Sequence, residues 1–439
     1  MVMKRIRRHA SLVFFCTALL LLAFGYGVVV GVYHVFPYRV LALALEGFLE
    51  VRRQAVRLGG GGGASTARLP WYYVRVTAPL RPPIYNTPQA YAGLNLVTRI
   101  AAGMELSASL MDLDGKQVHA WNVDWFRIWP DAEHLPAYVV PKSKPGCHLH
   151  GAVVLAGGDL VFNFEHLGLV RLDRDSKVVW RLPYRTHHSI HVHDNGNLWV
   201  CGQKGHTEAD PRFPQCKPPF DEDTLLEVTP QGQIVQEWSV PDLLYRNGRA
   251  GLLHLGTAQP HPQVLNDLLH LNDVEPFPET LAEGFFGKGD VMVSLRNVNT
   301  VFVFNRQSGT IKYAATGLFV AQHDPDFVDG NRFSVLDNRV VTEHHGEQSR
   351  ILMVSAVDNR TETVFEGSPE RPFYTATMGK HQWLPNGNLL ITESNLGRAF
   401  EIDPAGEIVW EYVHYIEVGV VGLVEEVQRL PLELRSVFR

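Results

Sequence analysis

The stretch GKHQWLPNGNLLITESNLGRAFEIDPAGEIVWEY (379–412) decides the fold. LPNGN (384–388) is a tight hairpin, because Asn386 and Gly387 take positive φ at little cost. NLLITES (388–394) alternates and is rich in β-formers, so it is a strand. DPAG (403–406) is a second turn, and EIVWEY (407–412) is a third strand that closes at Trp410. One histidine, His381, stands at the head of the unit.

The same ending recurs upstream. DLDGKQVHAW closes at Trp121, DRDSKVVW at Trp180, TPQGQIVQEW at Trp238, NRQSGTIKY at Tyr313 and DNRTETVF at Phe365. With Trp410 these make six turn-plus-strand units, 45 to 59 residues apart except for a step of 75 between Trp238 and Tyr313, close to the roughly 40 to 60 of a propeller or solenoid. The expected fold is all-β, a six-bladed β-propeller, with the terminal aromatics packed between blades. Residues 203–224 and 241–268 interrupt the repeat as insertions, the second with room for a short helix and a loop.

Four earlier segments share the opening histidine: His150 in CHLHGAVVL, His188 in THHSIHVHDNGN, His270 in LLHLNDVEPF and His323 in AQHDPDFVDGN. One imidazole at each blade start lets the symmetry of the fold gather five of them at the hub. Packing alone would favour Val, Ile or Gly there, since a buried imidazole needs partners for both nitrogens. Recurrent histidine therefore implies a solvated polar channel or a shared ligand.

The chain of 439 residues carries 20% charged and 45% hydrophobic residues and a formal charge of −6, which gives no support to nucleic-acid binding. Basic residues 4, 5, 7 and 8 precede an apolar run, 11–36, with no Asp, Glu, Lys or Arg. The run is long enough for a transmembrane helix; a signal peptide would be shorter and end in a small-residue cleavage site. The expected organisation is a basic cytoplasmic N-terminus (1–10), a single span (11–36), a juxtamembrane helix and glycine tether (37–66) and the propeller (67–439). The basic flank places the propeller on the extracytoplasmic side of a bacterial inner membrane. Cys201 and Cys216 bracket the first insertion and are expected to form a disulfide in an oxidising compartment. No CxxC pair suggests structural zinc.

Three chemistries suit converging imidazoles: a transition-metal site, proton and nucleophilic chemistry on an anionic ester, or anion binding alone. Arg296, in the strand after the His270 segment, weighs toward the anion, because a guanidinium is a forked donor for an oxyanion and a like charge beside a metal.

HHSI before DNGN, HLNDVEPF followed by SLRN, AQHDPDFVDGN followed by VLDN, and HQWLPNGN together resemble the bacterial arylsulfate sulfotransferase family over residues 90–430. The resemblance implies a six-bladed propeller outside the cytoplasm. It also implies transfer of a sulfuryl group from an aryl sulfate to a phenol through a sulfohistidine, without a nucleotide donor, cofactor or metal. By motif it makes His323 the nucleophile, His270 with Arg296 the oxyanion clamp and His188 the third imidazole. His187, His191 and His193 leave the register of that third position open. His381, His150 and Asp324 are secondary candidates, Asp324 to orient a histidine. Residues 66–90 stand where that family has an extra N-terminal β-domain and hold at most a remnant of it. The alternatives are a non-catalytic propeller that binds a ligand or protein, or a His-ligated metal enzyme.

Overall fold

A computed structural model describes residues 2–33, 69–77, 79–137, 139–214, 216, 218–257, 267–339 and 348–438. The segment 37–66, expected as a helix and tether, lies outside them. The propeller unit takes in Leu69–Ala258 and Leu265–Arg439, and the helix Val2–Tyr33 belongs to a separate unit.

Six antiparallel sheets follow one another along the chain, and their innermost strands touch in a closed circle. Blade 2 is built from Leu149–Val154, Leu160–Phe164, Gly168–Leu172 and Val178–Leu182; blade 3 from Arg185–Val192, Leu198–His206, Phe220–Val228 and Ile234–Ser239. Blade 4 is Leu271–Pro276, Asp290–Leu295, Thr300–Asn305 and Ile311–Thr316, and blade 5 is His323–Asp329, Arg332–Asp337, Arg350–Ser355 and Thr361–Glu366. Blade 6 is Lys380–Trp383, Leu389–Glu393, Arg398–Ile402 and Ile408–Val413, with Ile84–Asn86 added as a fifth strand. Blade 1 closes the ring. Its three outer strands, Leu94–Ala101, Glu105–Met111 and Gln117–Trp121, come from the start of the unit, and its inner strand is Val424–Leu430 from the end.

The expected aromatics all lie on the outermost of the four blade strands, and Trp121, Tyr313, Phe365 and Trp410 are buried. Trp199 and Trp238 stack at 4.9 Å within the core shared by blades 3 and 4. The second insertion forms a short helix, Val240–Arg246, capped by the Ser239 hydroxyl, which accepts from Asp242 N–H. Tyr73–Arg75 pairs with Val420–Gly422, so the described residues of this stretch, 69–77 and 79–90, brace the closing region.

One expectation changes. Cys201 and Cys216 form no disulfide. Both are buried in the apolar core between blades 3 and 4, and Cys201 sits inside a strand with its sulfur 3.8 Å from Ser189 Oγ. The span expected over 11–36 coincides with most of the helix Val2–Tyr33, in which side chains are described only for 14, 15 and 17–30. Among the described residues no helix is long and apolar enough to cross a membrane.

Candidate active site

The blade starts carry the site because their inner strands are irregular there. Pairing slips between Leu149 and Ala152, His187 and Ile190, Leu271 and Asp273, and His323 and Asp326. Beside each bulge one residue has positive φ: Gly151, His188, His270 and Asp324. A bulge re-aims the side chains next to it, and four non-identical blades use it at one end of the strand. Only glycine serves at 151, since a Cβ there would fall 1.9 Å from the carbonyl oxygen of His188.

The result is a cluster of imidazoles from four consecutive blades. His188 is central: its ring centroid lies 4.2 Å from that of His150, 5.0 Å from His270 and 6.5 Å from His323. Of the histidines in the HHSIHVH stretch, His188 is the one that meets the other blade-start rings. His187 packs at 4.6 Å on His166, tilted by 38°, and shares a 2.8 Å Nδ1–Nδ1 hydrogen bond with His188. His191 and His193 do not join the cluster; His191 Nε2 lies 3.2 Å from Asp273 Oδ1.

His381 does not join it either. Blade 6 has no bulge at its start, and Lys380–Trp383 pairs regularly with Leu389–Thr392. The imidazole therefore stays in the sheet and faces blade 5, with Nε2 2.7 Å from Ser334 Oγ and Nδ1 3.2 Å from Asp324 Oδ2. Asp324 also accepts from Lys380 Nζ (2.8 Å) and His381 N–H (2.6 Å), so it is committed to blade 6 and does not orient His323. Burial pushes its carboxyl up, but Lys380 and His381 outweigh that and hold it far below the usual carboxylate range.

Asn338 orients His323. Its amide donates to the carbonyls of Thr375 (2.9 Å) and Met378 (2.8 Å), which leaves Oδ1 as an acceptor 2.8 Å from His323 Nδ1. An acceptor at Nδ1 places the proton there and the lone pair on Nε2. Met378 N–H approaches Nε2 at 3.3 Å, a long contact that an incoming electrophile would displace. Burial, and then the charge of Arg296, hold the His323 pKa well below its ordinary value. His188 is depressed too, first by burial and then by the surrounding imidazoles. Both rings are neutral near pH 7.

Arg296 begins the turn after the second strand of blade 4, and its N–H donates to the His270 carbonyl at 3.0 Å. Burial lowers its pKa, and Asp267 opposes that shift. Asp267 pairs with His270 Nδ1 and fixes that ring. Burial raises the Asp267 carboxyl, yet His270, His166 and His187 hold it at about 2.

Glu165 and His166, which the sequence reading passed over, occupy in blade 2 the turn that Arg296 occupies in blade 4. Glu165 contacts His150 Nδ1 at 3.2 Å, His166 Nε2 at 3.3 Å and His188 Nδ1 at 3.6 Å. Against burial, His150 and His166 hold its carboxyl well below the ordinary range. The signal was in the repeat itself: FEHLG (164–168) lies in register with LRNVN (295–299).

The arrangement can place an anion against Arg296 and four imidazoles, and it presents one neutral ring with a defined nucleophilic nitrogen. The arylsulfotransferase (ASST) family model matches residues 151–415, more than half of the chain, and takes in His188, His270, Arg296 and His323 of the site. The chain belongs to the arylsulfotransferase family. No curated protein matches it. Among solved structures, a protein of unknown function from Bacteroides caccae is 14% identical with a TM-score of 0.49, over 76% of this chain and 98% of that one. Virginiamycin B lyase from Staphylococcus aureus is 11% identical (TM-score 0.37, 74% and 86% covered). The β-propeller domain of Myceliophteria thermophila Cps50 (Swd1) is 8% identical (TM-score 0.40, 75% and 88%). At such scores these likenesses carry no argument about activity. Family membership brings arylsulfotransferase-type function at the level of the family, and the residues of the site must supply the rest.

Proposed function

We propose that this arylsulfotransferase moves a sulfuryl group from an aryl sulfate to a phenol through a sulfohistidine at His323. The observation that carries the reading is the fixed tautomer of His323, neutral and with its Nε2 lone pair defined, beside Arg296 and within one ring of His188. The lone pair forms the N–S bond while the S–O bond to the aryl group breaks and the phenolate departs. Placement and charge stabilisation do most of the work, as in phosphoryl transfer. Arg296 and His270 hold the sulfuryl oxygens, and loss of one such donor costs about 3–4 kcal/mol of barrier. The donor leaves as phenolate and takes its proton from solvent; His188, neutral at rest, then takes the proton of the acceptor phenol on its lone-pair nitrogen as the N–S bond is cleaved, and returns it to solvent.

The apolar run 11–36, with Phe14, Leu20 and Phe24 exposed on the N-terminal helix, supports a membrane anchor with the propeller outside the cytoplasm. The function is tested with 4-nitrophenyl sulfate. Wild-type protein is expected to turn over only when a phenol is supplied; donor alone is expected to release about one equivalent of nitrophenol and to leave one sulfuryl adduct on the His323 peptide. A His323→Ala variant that keeps the wild-type rate would overturn the assignment.

A further inference from the structure

Beside the transfer site, toward blade 1, lies a second group of ligand-type side chains that shares His150 with the imidazole cluster and adds two residues, His148 and Glu425, for which sulfuryl transfer has no use. His148 and His150 flank the first strand position of blade 2, and Glu425 stands on the closing strand Val424–Leu430. One ligand atom from each lies within 4.8 Å of the others. His148 Nδ1 is 3.1 Å from Glu425 Oε1, and the rings of His148 and His150 are 5.9 Å apart.

One buried group here is unsatisfied. Glu425 is 1% exposed, and beyond the 3.1 Å contact of His148 Nδ1 with Oε1 neither carboxylate oxygen has a well-directed hydrogen-bond donor. An unpaired buried carboxylate oxygen is costly and rare, and it indicates a missing occupant. The group is also reachable, because His148 lines a cavity of about 360 Å³ together with Trp71, Tyr72, Lys142 and Cys147.

We propose that His148, His150 and Glu425 bind one divalent transition-metal ion, zinc being the best match, which staples the closing strand of blade 1 to blade 2. Two imidazoles and a carboxylate are borderline donors of the kind zinc takes, with bonds of about 2.0–2.2 Å and a fourth position left for water. The three ligand atoms, within 4.8 Å of one another, draw together to meet those bonds. The cavity at His148 provides an entry path. A metal here satisfies Glu425, which an His148 ion pair alone leaves without a well-directed donor. A neighbouring set, His150, Glu165 and His188, shares one ligand but belongs to the transfer site, where Glu165 is already contacted by three imidazoles.

The test uses the full chain in detergent, stripped with a chelator and titrated with zinc, with binding read by calorimetry and metal content by mass spectrometry. One equivalent is expected to bind and to raise Tm, with affinity weakened at least about tenfold in Glu425→Gln and in His148→Asn, and kept in Glu165→Gln. His148 is at the cavity edge, so His148→Asn reports even where Glu425→Gln disturbs the closing strand. Three results would overturn the proposal: no binding, equal binding by wild type and both ligand variants, or loss of binding in Glu165→Gln alone. None of these depends on whether sulfuryl transfer occurs.

Discussion

At His323 the chemistry depends on which nitrogen holds the proton, and a neighbouring amide decides that. Asn338→Ala removes the nearer of two acceptors at Nδ1, leaving the Ala321 carbonyl at 3.1 Å, and loosens the hold on ring orientation and tautomer. The expected result is a fall in kcat of about 10²-fold with KM little changed, read from the donor-only burst, with circular dichroism confirming the fold. The depressed pKa of His323 also fixes the pH profile. Activity needs the neutral ring, so kcat/KM should stay level through the ordinary imidazole value of about 6.5 and decline only at lower pH. Stability follows the same sign: the unfolded chain protonates His188 and His323 before the folded protein does, so stability is lost as pH falls below about 6.5. An acid limb of kcat/KM centred above 6.5 would remove the neutral-nucleophile reading. The residue types were legible in the sequence. The partner of His323 was only half so, since VLDN placed Asn338 nearby, but its role depends on the carbonyls of Thr375 and Met378 from the next repeat.

For the strands, the repeat was legible because hairpin turns and terminal aromatics recur at fixed offsets. The bulges were not. A single extra residue in a stretch such as HHSIHVH leaves the alternating pattern readable in two registers, and the slip sets which imidazole turns inward. The same gap explains His381, which occupies the expected place in its repeat but lies on a regular strand. Stability at this scale rests on the closing strand. Arg429 and Glu401 form a wholly buried pair at 3.0 Å, and Arg429 also donates to Asn95 Oδ1 at 2.8 Å. Arg429→Met keeps the bulk but strands a buried carboxylate. The variant should lose about 3–5 kcal/mol in denaturant unfolding. A loss under 1 kcal/mol would show that Asn388 Nδ2 and Tyr91 N–H, at 2.6 and 2.7 Å, satisfy Glu401 by themselves.

For the molecule as a whole, the propeller unit begins at Leu69 and the reactive groups all lie within it. Removal of residues 1–68 is therefore expected to shift the protein from the membrane to the soluble fraction on cell lysis, with kcat and KM for 4-nitrophenyl sulfate within about twofold of the full chain. Sedimentation and steady-state kinetics check both parts. Residues 148–323 contribute every group of the transfer site except the backbone of Met378 and the Asn338 that holds His323. The strand that closes the ring comes last. A chain still emerging from the ribosome, or still threading through a translocon, therefore carries a nearly assembled reaction centre inside an open disc. Its first sheet meanwhile offers the unpaired edge Leu94–Ala101, available to any extended segment nearby, until residues 424–430 arrive to occupy it.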